Sequence, residues 1–144
     1  MNTTLEKFGF PESLIKSYQH WSVLLRPQQP TLGSLILGAH SNVHAFSELS
    51  EAAMSELGQI IKDIEASLNL CFKYDKMNYL MLMMVDPHVH FHVIPRYETV
   101  RQFHSVDIED KGWPGPPDLS QVTEIPESTK IELLRFIQRQ WANV

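Results

Sequence analysis

His88-Val89-His90-Phe91-His92-Val93-Ile94 (HVHFHVI, residues 88–94) alternates imidazole with apolar side chains. The side-chain period of a β-strand is two, so the three imidazoles share one face and Val89, Phe91 and Val93 share the other. The apolar face is expected to turn to a core and leave a row of imidazoles opposite. Half-buried strands ordinarily fill their polar positions with Thr, Ser or charged groups. Three histidines on one short strand therefore point to chemistry.

Two chemistries suit such a row. A strand rises ~3.3 Å per residue, which separates His88 from His92 by roughly 13 Å, whereas one zinc ion needs its nitrogen ligands within ~2.1 Å. Two neighbouring histidines plus a distant donor such as His40 would still form a metal site. The other chemistry is nucleophilic attack on phosphorus. An imidazole of ordinary pKa, ~6.5, is mostly unprotonated at pH 7 and needs no strong base to activate it. Flanking histidines and backbone carbonyls can hold the second ring nitrogen and fix the tautomer. The middle residue, His90, is then the attacker. His20, His40, His44 and His104 are scattered along the chain.

Outward from the triad, VHFHVIP (89–95) reads as a strand, preceded by another at MNYLMLMMV (77–85) that Asp86-Pro87 ends. Met77, Met81, Met83 and Met84 are expected to fill the core from that strand. Leu49, Ala53, Leu57, Ile60, Ile61, Ile64 and Leu68 recur at helical spacing and predict a long helix from about Ser50 to Leu70. WSVLLR (21–26) and SLILGA (34–39), joined by PQQPTLG, predict an antiparallel pair. A short helix is expected at Glu12 to Ser17. KGWPGPPD (111–118) is a loop, and Ile131, Leu134, Ile137 and Trp141 mark a last amphipathic helix that starts near Pro126 and Glu127. The order predicts an α+β fold: an antiparallel sheet, one long central helix and a C-terminal helix.

The 144 residues suit one domain, and 43% hydrophobic with 20% charged residues suits a soluble globular chain. The N-terminus lacks a secretory pattern and no apolar run would span a membrane, so cytoplasm is the expected compartment. A net charge of −5 argues against a nucleic-acid partner, because grip on that backbone comes from clustered Lys and Arg. Cys71, the one cysteine, receives no role.

The 88–94 heptad matches at every position the His-φ-His-φ-His-φ-φ signature of the histidine triad (HIT) superfamily, in which φ is apolar. Pro95-Arg96 after it is similar to the fragile histidine triad, dinucleoside polyphosphate hydrolase-like branch. The resemblance runs over about residues 21–97 and implies one HIT-like domain over 1–144, with residues 98–144 as a C-terminal extension. It implies a nucleotide hydrolase or transferase that opens a phosphoanhydride or phosphoramidate through a covalent nucleotidyl-His90, with His88 and His92 orienting that imidazole and binding phosphate. Leu24, Arg26 and Ile36 match positions that line the base and ribose pocket, Arg26 standing where Asn or Asp is usual. Ser34 replaces the histidine that commonly follows the hairpin glycine, here Gly33, and Arg96 is a further candidate contact for substrate.

The phosphate loop diverges. Family members carry a Gly-rich loop with a polar contact before the triad, whereas Met83, Met84 and Val85 offer no side-chain donor. Asp86 would oppose an anionic substrate by ~4 kcal/mol at 4 Å and an effective dielectric of ~20, and is expected to turn away beside Pro87. WPGPP (113–117) is similar to a Trp-Pro-rich tail that in one branch reaches a partner's site, and a homodimer is what the family implies. No cofactor or resident metal is required on this reading, a divalent cation entering only with the substrate. The alternative function is a nucleotide-binding or regulatory module with weak or no turnover.

Overall fold

The computed structural model describes residues 2–141 and Asn143. Five strands, β1 (Leu14–Ser17), β2 (Trp21–Leu25), β3 (Leu35–Ala39), β4 (Lys76–Leu80) and β5 (His90–Arg96), form an antiparallel sheet in the order β1-β2-β3-β5-β4. A short hairpin, β6 (Arg101–Phe103) and β7 (Val106–Ile108), lies outside it. The helices are α1 (Thr3–Lys7), α2 (Glu51–Phe72) and α3 (Glu127–Trp141). The fold is α+β, as the hydrophobic periods predict, and no described helix is long and apolar enough to cross a membrane.

Register assigns every side chain to a face. Val23, Leu37 and Phe91 stand abreast across β2, β3 and β5, and so do Leu24, Ile36 and His92. The first row belongs to the main core, which α2 closes with Ile60, Ile64 and Leu68 and α3 with Leu133 and Ile137. Ser50 caps α2 by accepting from the Ala53 N–H at 3.1 Å, and the Trp21 indole donates to the Ala53 carbonyl at 2.9 Å. The helix ends at Lys73 in the left-handed conformation, with Arg101 donating to the Phe72 and Lys73 carbonyls left open there.

Four sequence expectations are corrected. Leu14–Ser17, within the expected helix of Glu12 to Ser17, is an edge strand, its register broken between Leu14 and Lys16 and its end exposed at Lys16 and Ser17. The helix of this region lies earlier, at Thr3–Lys7, too short for a periodic signal. In α3 it is Leu133, fully buried, that faces the core, while Ile131 is 47% exposed. The strand predicted over 77–85 ends at Leu80, so Met84 lies in a loop and is 87% exposed rather than in the core.

The early end of β4 has a consequence for the triad. Leu80 pairs with His92, and continued register would set Leu82 against His90. The chain leaves the sheet instead, with Met83 at φ 50°. Residues 82–86 thereby open a space beside the first residues of β5.

Candidate active site

His90 and His92 project from β5 on the face away from α2 and α3, beside Leu24 and Ile36. This face is not open, contrary to the row of uncovered imidazoles that alternation alone suggests. The segment that carries α1 lies across it: Leu5 and Phe8 form a small cluster with Leu24 and Ile36, leaving His90 1% and His92 7% exposed. Phe8 packs its ring 5.7 Å from that of His90 and 5.8 Å, edge-on, from that of His92.

Polar groups fasten the cover as well. Asn2 donates to the carbonyls of Ala39 at 2.9 Å and Ser41 at 3.1 Å, and its Oδ1 accepts from the Leu5 N–H at 3.0 Å. Thr4 Oγ1 lies 2.9 Å from His88 Nδ1. Gly38, paired with His90 in the register, makes room for Leu5: a Cβ there would meet Leu5 Cδ2 at 2.3 Å.

The triad residues have distinct environments. The Nδ1–H of His90 donates to the His88 carbonyl at 2.7 Å, an acceptor that fixes this tautomer and leaves the Nε2 lone pair available. His88 precedes β5, edge-on to His44 with ring centroids 5.1 Å apart. Burial first, then His44 and His90, hold its pKa below the ordinary value. His92 is driven down to about 4, mainly by burial and further by His90 and Arg26, with Asp86 opposing. Its Nδ1 is buried without a partner among the described residues, so the ring is neutral at pH 7.

A cavity of about 190 Å³ beside the two imidazoles is lined by Leu82, Met83, Met84, Val85, Asp86, His90, His92 and Leu119. It is the space left where β4 departs from β5. Asp86 Oδ1 is 2.8 Å from Lys7 Nζ, so its charge is met by α1. Arg26 is 9% exposed; its Nη1 donates to the Gln28 carbonyl at 2.8 Å and its Nε is buried without a partner among the described residues. Burial lowers its pKa.

The other predicted site residues lie elsewhere or deeper. Leu24 and Ile36 are on the histidine face but fully buried under Leu5 and Phe8, so they form the floor of a closed cluster and not an open pocket. Ser34 is fully buried in the β2–β3 turn, its hydroxyl 2.9 Å from Thr31 Oγ1 and donating to the Thr31 carbonyl at 2.9 Å. The expectation that it meets substrate is corrected: it ties the turn. Arg96 likewise sits away from the cavity, its Nε 2.7 Å and Nη2 3.0 Å from the Asp110 carboxylate and its Nη1 2.8 Å from Asn78 Oδ1. This fork pins the loop that contains Gly112. Burial pushes the Cys71 thiol up to about 12, which keeps it from thiolate chemistry. Among the described residues no group of three or more His, Cys, Asp or Glu is placed to hold a metal ion.

Sequence reasoning missed Lys7, Phe8 and the anchors Asn2 and Thr4. Only the apolar pair Leu5 and Phe8, three apart, hints at a face to bury, and nothing local says against what.

The HIT domain family matches residues 18–99. Among solved structures, a histidine triad protein from Sinorhizobium meliloti superposes with a TM-score of 0.75 at 21% identity, covering 97% of this chain and 95% of that one. One from Bradyrhizobium japonicum gives 0.74 at 19% identity, covering 97% and 96%. A hypothetical histidine triad nucleotide-binding protein from Sulfolobus tokodaii gives 0.68 at 18% identity, covering 91% and 84%. At these identities the likeness is one of fold. No curated protein sequence matches the chain.

Proposed function

The chain belongs to the HIT domain family, whose proteins bind or hydrolyse nucleotides, and from that premise we propose that it is a nucleotide hydrolase or transferase with His90 as nucleophile. One observation carries the reading: the 2.7 Å hydrogen bond from His90 Nδ1–H to the His88 carbonyl, on an imidazole that lines a cavity. With Nδ1 occupied, Nε2 is the atom that attacks. An Nε2–P bond forms to the α-phosphorus, the bond from phosphorus to the leaving group breaks, and its electron pair departs with that group. Water then attacks the same phosphorus, displaces Nε2 as the neutral imidazole and releases a nucleoside monophosphate, the proton it loses passing to solvent. The His88 carbonyl oxygen, accepting from Nδ1–H, stabilises the positive charge that the ring gains in the intermediate.

The environment assigns roles to the neighbours. His92, neutral at pH 7 with its pKa about 4, keeps one ring N–H that can donate to a phosphate oxygen without adding a positive charge. Arg26 brings a buried cation near His92 and suits an anionic oxygen better than a ribose hydroxyl, which would need an acceptor. Some members of the superfamily are not enzymes, and one observation favours a binding role here: the loop Met83 to Val85 gives the cavity no side-chain donor.

Intact-protein mass measurement tests the reading. The chain and its His90→Ala variant are incubated briefly with an adenosine phosphoramidate or a dinucleoside polyphosphate and quenched in alkali. A nucleotidyl mass on the native chain alone is expected. Tight nucleotide binding without adduct or product selects the binding module, and turnover by a folded His90→Ala chain overturns the nucleophile.

A further inference from the structure

Lys7 stands in the last turn of α1 with its Nζ 2.8 Å from Asp86 Oδ1. Asp86 lines the cavity of His90 and His92, so this pair reaches from the N-terminal segment to the rim of the nucleophile's cavity. Lys7 also lines a second cavity, about 290 Å³, with Phe8, Arg26, Pro27 and Gln28. Phe8 stands between the two spaces, its ring walling the second and packing on both imidazoles of the first, and Lys7 borders both, through Asp86 on one side and directly on the other. Lys7 and Arg26 are the two cations that line the second cavity, and Arg26 Nε is buried without a partner among the described residues.

We propose that Lys7 is a specificity-determining residue that binds, together with Arg26, the phosphate next to the one His90 attacks, so that the preferred substrate carries at least two linked phosphates. The proposal rests on the nucleophilic reading of His90. A polyphosphate needs cations and donors along its chain, and the 82–86 loop supplies no cation and no side-chain donor: its one charged side chain is Asp86. Lys7 answers this from another part of the sequence. Its ion pair is partly exposed, 54% on the Lys side and 16% on the Asp side, and such pairs are weak. The ammonium can therefore exchange a carboxylate for a phosphate oxygen by rotating its flexible stem, which is how lysine binds phosphate, as a mobile point charge. The anchors of Asn2, Thr4 and Leu5 hold α1 where Lys7 is within reach of the rim.

The test compares a dinucleoside tetraphosphate with an adenosine phosphoramidate on the native chain, Lys7→Met and Lys7→Arg. Lys7→Met should raise KM for the tetraphosphate at least tenfold with kcat within threefold. The ratio of kcat/KM between the tetraphosphate and the phosphoramidate should fall at least fivefold, and Lys7→Arg should recover most of it. An unchanged KM, or an equal loss on both substrates, overturns the role of Lys7 and leaves the His90 adduct standing. Should the native chain form no adduct at all, the nucleophilic reading falls, and calorimetry with ADP and AMP still decides Lys7. Weaker ADP binding by Lys7→Met, with AMP affected at most twofold, upholds the phosphate contact; equal ADP affinity removes it.

Discussion

The two faces of the sheet are closed in different ways. On one, the 22 residues of α2 and 15 of α3 lay Ile60, Ile64, Leu68, Leu133 and Ile137 over Val23, Leu37 and Val93. On the other, a segment with a five-residue helix sets Leu5 and Phe8 on Leu24 and Ile36, held by Asn2 and Thr4. The first is a contiguous apolar core whose area supplies the stability of the fold. The second contains His90 and His92 among its buried groups, and Asn2 and Thr4 anchor it through hydrogen bonds of modest net strength, about 1 kcal/mol each. Reactive imidazoles thus lie under the cover that is cheaper to disturb.

The largest expected contrast is in activity. His90→Ala should abolish the nucleotidyl adduct and lower turnover by about 10³-fold or more in a chain that still folds, at a cost of about 2 kcal/mol in urea unfolding for the buried ring it removes. A comparable loss from Ile64→Ala, measured on chain that remains folded, would erase the functional difference between the faces. In stability the order reverses. Ile64→Ala should cost about 3–5 kcal/mol, since α2 cannot collapse into the void, and Leu5→Ala about 2–3, since a short terminal segment can settle. Urea melts that give Leu5→Ala the greater loss would break this ranking.

A smaller effect lies in pH. The folded pKa of His92 is about 4, below the ordinary 6.5, so the unfolded chain binds the proton more readily between these values. The associated stability is complete above about pH 6.5 and is lost as pH falls toward 4, about 2 kcal/mol of it by pH 5. The difference in urea stability between pH 7.5 and pH 5 should shrink in His92→Gln; an undiminished difference would place the pH dependence elsewhere. Smallest is Thr4→Val, which removes the 2.9 Å contact with His88 Nδ1 at a cost of about 1 kcal/mol. It should speed amide exchange in residues 3–8 and leave α2 unaffected. Faster exchange in α2 as well would mean that the two faces unfold as one unit.

Legibility followed the range of the interactions. The period of two in residues 90–94 and the 3.6-residue period of α2 are each set within one element, so the shared face of His90 and His92 and the long helix were readable directly. The end of β4 was not, because Met81 to Val85 has the composition of a strand and its departure from the sheet depends on how β5 is paired. The partners of Ser34 and Arg96 were hidden for the same reason: an arginine after a histidine motif looks like a phosphate contact until Asp110 is found beside it. The hairpin of β6 and β7, three residues a strand, is too short to carry a periodic signal.

The sequence alone determined that His90 and His92 share a strand face, that an antiparallel sheet carries a long helix, and that the family is that of the histidine triad, since alternation and spacing are properties of neighbouring residues; His88, expected on the same strand, lies before it. Tertiary structure decided that Asn2 to Phe8 covers those imidazoles, that Lys7 meets Asp86, and that the His88 carbonyl sets the tautomer of His90. The first two contacts join residues about eighty positions apart, and the third depends on how the backbone turns into β5. Neither kind of geometry exists until the sheet has formed.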